Sequence, residues 1–135
     1  MPTGTLTGFA LKLDALPMWD HTYVASNLGH IWACWGESAG GRQICSGIGN
    51  ADQADCLSQP NSQAGIRYGI TGVCHQAANR ILFPARQFVS GARGYRASVF
   101  VWGAYGKDPS TGRHYSLPNV PWPELNQCCQ DHQHS

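Results

Sequence analysis

The sequence predicts an α+β domain in which a small antiparallel sheet packs against one helix that carries a candidate nucleophile. Three observations predict it. HTYVAS and HIWACW, at residues 21–26 and 30–35, flank a short turn. GVCHQAANRILF, at residues 72–83, repeats its apolar residues near helical spacing. Sixteen glycines and eight prolines in 135 residues supply more chain breakers than the interior of a helical bundle tolerates.

The first segment reads as a β-hairpin, His21–Ser26 and His30–Trp35, turning through Asn27, Leu28 and Gly29. If Asn27 pairs with His30, continued pairing sets Gly36 opposite His21, with Glu37 just beyond. In the second segment Val73, Ala77, Ile81 and Leu82 define the buried face of a helix that Thr71 can cap and Pro84 ends. GYRASVFVWGAY, Gly94 to Tyr105, mixes aromatic and β-branched residues between glycines and reads as a central strand. Leu6–Leu13 and Gln87–Ser90 are short candidate edges, and residues 121–129 suit a last helical turn. Residues 38–65 read as a long surface loop and residues 130–135 as a flexible tail, all within one compact domain spanning 1–135.

Composition narrows the function. Hydrophobic residues make up 42% and charged residues 13%, which argues against intrinsic disorder. A formal net charge of +1 supplies no basic field for a nucleic-acid backbone, so nucleic acid is not an expected partner. No apolar run approaches the roughly 20 residues that cross a bilayer, so integral membrane association is not expected either. Residues 1–20 offer no basic leader, unbroken apolar stretch or small-residue cleavage site, and no secretion signal is read there. Six cysteines, Cys34, Cys45, Cys56, Cys74, Cys128 and Cys129, nevertheless point to an oxidising destination and to disulfides. A Cys45–Cys56 link would restrain the long loop, and Cys128 or Cys129 could be anchored to Cys34, Cys45 or Cys56. Cys128, Cys129, His132 and His134 lack the two-pair spacing of a structural zinc site, so no metal ligands are assigned.

Cys74 is the most informative position. At the first turn of the predicted helix, unpaired amides and the positive end of the dipole favour a thiolate, and the same amides can hold an oxyanion. His21, opening the first hairpin strand, is the best-placed base. His75 is adjacent in sequence, but neighbouring helical side chains diverge by about 100 degrees. His30 is a second candidate, and Glu37 or Asp20 could orient the His21 imidazole. A non-catalytic reading stands beside this one: a disulfide-stabilised, secreted protein- or glycan-binding module, with Cys74 in a disulfide and the tryptophans lining a groove.

DHTYV at Asp20–Val24, followed by TGVCHQAANRIL at Thr71–Leu82, resembles the circularly permuted papain-like fold of NlpC/P60 hydrolases, in which the histidine strand precedes the nucleophile helix. The resemblance covers the organisation of roughly the first 105 residues. It implies Cys74 as nucleophile, His21 as general base and a third polar residue after the histidine strand, where His30 and Glu37 lie. It implies amide hydrolysis through an acyl-enzyme with no metal or organic cofactor. The implied substrate is a peptide or peptidoglycan, and an immunity or inhibitor protein is a possible partner. Such a bacterial effector would be secreted or delivered to the cell envelope, with a cytoplasmic site also open. Protein deamidation and acyl transfer are the neighbouring chemistries.

Overall fold

The structure, a computed structural model, describes residues 3–13, 18–29, 31–33, 38–57, 64, 66–108 and 110–115. Four strands, β1 (Thr3–Lys12), β2 (Asp20–Ser26), β3 (Ile31–Ala33) and β4 (Arg42–Asn50), form one antiparallel sheet in the order β3-β2-β1-β4. Helices α1 (Ala51–Leu57), α2 (Cys74–Ile81) and α3 (Tyr95–Trp102) complete the set, with a 3-10 turn at Phe83–Ala85 after α2. This is a small α+β domain, its sheet packed against helices.

β1 lies inside the sheet rather than at its edge, where the sequence had suggested. Gly4, Leu6, Gly8 and Ala10 are buried while Thr5, Thr7 and Phe9 are half-buried, so the alternation is strict. Two of the four inward positions are glycine, which weakens the apolar signal. Close approach explains one of them: a Cβ on Gly8 would lie 2.6 Å from Cys45 Sγ and 3.2 Å from Leu82 Cδ1. Gly49 of β4 is similar, since its Cβ would meet the Pro84 carbonyl carbon at 2.7 Å. The expected loop over 38–65 therefore holds β4 and α1 instead. Gly47 and Gly49 serve close contact with the segment Pro84–Gln87, while Gly40, at φ +83°, is a turn glycine as expected. Asn50 starts α1, its Oδ1 accepting the Gln53 N–H at 3.0 Å.

The β2–β3 hairpin forms, in a register one residue away from the expected one: Tyr23 pairs with Ala33, Val24 with Trp32 and Ala25 with Ile31. Asn27 causes the shift. Its N–H donates to the Thr5 carbonyl at 3.2 Å and its Oδ1 accepts the Thr5 N–H at 2.9 Å, so it is committed to β1. The turn closes through the Gly29 N–H on the Ser26 carbonyl, with Gly29 at φ +91°. A one-residue slip exchanges the two faces of a strand. It removes the register that sets Gly36 opposite His21. Gly36, Glu37 and His30 themselves lie outside the described residues, as do Cys34, Trp35 and residues 116–135, including the expected helical turn and tail.

Residues 95–102 are a helix and not the expected central strand. Tyr95, Ser98, Val99 and Trp102 turn inward, spaced as a helix requires, whereas Phe100 is 86% exposed. Gly94, at φ +81°, begins the helix, and Gly103, at φ +77°, follows its end. Gln87–Ser90 is irregular, so the sheet gains no strand there.

The disulfide expectation is overturned. Cys45 and Cys74 are both free thiols, and no disulfide forms among the described residues. The Cys45 sulfur occupies the space above Gly8 and packs against the core of Leu6, Val24, Ile81, Leu82 and Val89, as a small apolar side chain would. Among the described residues, no helix is long and apolar enough to cross a membrane.

Candidate active site

Every residue of α2 is buried, including His75, Gln76, Asn79 and Arg80. Buried polar groups need partners, and here each side chain anchors a loop. Gln76 Nε2 donates to the Gly103 carbonyl at 2.9 Å and its Oε1 accepts the Val73 N–H at 2.9 Å. Asn79 Nδ2 donates to the Ala104 carbonyl at 2.8 Å while its Oδ1 accepts the Val89 N–H at 2.9 Å. Arg80 donates to the carbonyls of Tyr105 and Ala64, and burial pushes its pKa down to about 10. Helix α2 thus holds both of its flanking segments by side-chain bonds. Val73, not Thr71, is the residue before its first turn. The Thr71 hydroxyl accepts the Arg67 N–H at 2.8 Å and closes the preceding turn.

Cys74 opens the helix against the start of β2. Its Sγ donates a long, weak contact to the Asp20 carbonyl at 4.0 Å. Burial pushes the thiol pKa up, and the Thr22 N–H with the Cys74 and His75 N–H groups pull the other way. The Asp20 carbonyl and the Thr22 N–H bracket His21. The cysteine is therefore seated beside the main chain of the residue expected to be its base. The His21 side chain is buried and alternates with Thr22, its ring centroid 6.4 Å from that of Tyr23, which in turn stacks on Phe9 at 5.0 Å.

Asp20 is the scaffold of this corner. Its carboxylate is fully buried, with Oδ2 accepting from Arg42 Nη2 at 2.7 Å and from the Arg93 N–H at 2.8 Å. Its own N–H donates to the Arg93 carbonyl at 2.9 Å. Burial alone would raise its pKa, but the Arg93 N–H and the Arg42 guanidinium outweigh it and hold the carboxyl below its usual value. Asp20, offered by the sequence as a partner for His21, has Oδ2 committed to β4 and the loop before α3. Asp20 Oδ1 and Thr22 Oγ1 are buried with no hydrogen-bond partner among the described residues.

His75, set aside by the angular argument, converges with the thiol on one acceptor, the Asp20 carbonyl. Its Nε2 lies 2.7 Å from the Asp20 carbonyl and its Nδ1 2.9 Å from Ser98 Oγ. Trp19 stacks on the ring at 5.1 Å, interplanar angle 12°. Gly94 leaves the room for that indole, because a Cβ there would overlap it. The sequence reading weighs His75 only as a base and does not reach Ser98, because polar residues ordinarily signal solvent and Ser98 falls in the segment read as a strand. The pattern that could have found them is four polar side chains, His75, Gln76, Asn79 and Arg80, on a helix with too few apolar residues to bury its own face.

Among the described residues, no three His, Cys, Asp or Glu side chains gather as a metal site requires. Cys128, Cys129, His132 and His134 lie outside them. No protein-family model matches the chain, and no curated protein or solved structure matches it either.

Proposed function

We propose that this chain is a cysteine-dependent amide hydrolase of the permuted papain-like, NlpC/P60 type, with Cys74 as nucleophile and His21 as general base. The observation that carries the reading is the seating of a free thiol at the start of α2, against the carbonyl and N–H groups that bracket His21. His21 takes the thiol proton as sulfur attacks the amide carbonyl carbon. The Cys74 and Thr22 N–H groups are the candidate oxyanion donors, and His21 returns the proton to the departing amine. Water activated by the same imidazole then hydrolyses the thioester. The raised thiol pKa fits a nucleophile that is deprotonated during attack rather than stored as an ion pair.

The proposed substrate is a peptide amide, first among them the peptides of peptidoglycan, in an effector that is secreted or delivered to the envelope and restrained by an inhibitor protein. Purified muropeptides incubated with the parent chain and with Cys74→Ala, then read by intact-mass and fragment analysis, test it. A new amine terminus made by the parent alone supports the reading. No parent-specific product across diverse muropeptides, with Cys74 verified as reduced, rejects the cell-wall assignment. Tight glycan or protein binding by both chains in that case would favour a binding module.

A further inference from the structure

The interior of the corner holds a histidine that takes no part in the proposed proton transfer, and its bond to a carbonyl fixes a proton on one ring nitrogen. A carbonyl oxygen only accepts, so the 2.7 Å bond to Asp20 places the proton of the neutral ring on Nε2. Nδ1 lies 2.9 Å from Ser98 Oγ, whose single proton has two acceptors in reach, this nitrogen and the Tyr95 carbonyl, also at 2.9 Å; a neutral ring draws it to Nδ1. Ser98 Oγ receives Gln76 Nε2–H at 3.2 Å in return. Trp19 on one side and Tyr95, with its ring centroid 6.0 Å away, prevent the imidazole from turning. The titratable groups around it are Asp20 and His21 of β2, Cys74 of its own helix and Tyr95 of α3. The Asp20 charge is already taken up by Arg42.

We infer that His75 is a positioning residue: its Nε2–H fixes the Asp20 carbonyl, and through that peptide it sets where the Thr22 N–H and the His21 main chain stand relative to the Cys74 sulfur. The Asp20 carbonyl is shared, accepting from His75 and lying 4.0 Å from the thiol, so displacing it displaces the thiol's surroundings directly. Burial lowers the His75 pKa, and the Asp20 carbonyl offsets that only in part, which keeps the ring neutral at pH 7. The inference rests on reading Cys74 as the nucleophile. Its test uses thiol reactivity, so it can fail separately from amide hydrolysis.

Two substitutions separate the two ring nitrogens. His75→Gln places an amide N–H near the Nε2 position and keeps the Asp20 bond. His75→Asn places its amide near Nδ1, keeps a partner for Ser98 and loses Asp20. The rate of Cys74 alkylation by iodoacetamide, followed against pH by peptide mass mapping, reads the sulfur alone among the cysteines. His75→Gln should keep the parent's pH profile. His75→Asn should move its midpoint upward by about one unit, a roughly tenfold loss of rate on the rising limb, because the Thr22 N–H no longer favours the thiolate. A structural role alone would lower thermal stability in both variants and leave both profiles on the parent's. Long-range ¹H–¹⁵N spectra of the parent should show His75 neutral and protonated on Nε2 at pH 7. Coincident profiles for folded Asn and Gln variants would overturn the inference, as would a ring protonated on Nδ1. If the Asn variant does not fold, the tautomer in the parent decides.

Discussion

Sulfur at position 74 is governed by two opposed influences, burial that favours the thiol and N–H groups that favour the thiolate, and burial is the larger. Native Cys74 should therefore alkylate more slowly at pH 8 than the same cysteine in urea, and mass mapping of a brief iodoacetamide pulse measures both. Faster reaction in the native chain would mean that the N–H groups dominate. Removing His21 should be felt in turnover and not in the fold. His21→Ala should lower the acylation rate by about 10²-fold or more, the usual contribution of a general base, with an unchanged circular dichroism spectrum. The parts of the site legible in sequence were those that follow a local rule, a cysteine at a helix start and a histidine at a strand start. Asp20's tie to Arg42 and Arg93, and His75's tie to Ser98, join residues 22 to 73 positions apart. No local rule reports on such pairs.

Among the elements, α2 has the greatest leverage because its polar side chains are the partners of loop backbone on both sides. Asn79→Ala should cost about 1–3 kcal/mol by leaving the Val89 N–H and the Ala104 carbonyl unpaired, measured as a shift in the urea unfolding midpoint. A loss below about 0.5 kcal/mol would mean that water replaces the amide freely. Phe100 on α3 provides the opposite case. Pointing outward, it should accept Phe100→Ser with a change within about 0.5 kcal/mol, whereas a central strand would lose several times that. That segment was misread because β-branched and aromatic residues favour strands in general, while Ser98 concealed the helical spacing of Tyr95, Val99 and Trp102. The hairpin and α2 were legible from their own periods. β4 was not, because its glycines, placed for contact with Pro84 and Ala85, look the same in sequence as turn glycines.

At the scale of the whole molecule, buried ionisable groups tie stability to pH in two windows. The unfolded chain protonates His75 near its ordinary pKa of 6.5, whereas the folded chain holds it lower, so stability falls as the pH drops below 6.5. Asp20 has the opposite sign of partnership: its charge is favoured in the fold, and the stability it contributes is present above 3.8 and lost as the pH falls through its lowered folded value. Urea midpoints taken from pH 7 downward should show the first decline in the parent and a flatter curve in His75→Gln; identical slopes would remove His75 as its source. On the proposed reading, the sheet, the buried helix and the Asp20 corner seat one thiol for proton transfer to the His21 imidazole. The most direct measurement of that claim is the rate at which a peptide vinyl sulfone labels Cys74, compared between the parent and His21→Ala with Cys45 labelling as the internal reference. Cys74 labelling should fall about 10²-fold in His21→Ala while Cys45 labelling stays unchanged. Equal Cys74 rates in the two folded chains would contradict it.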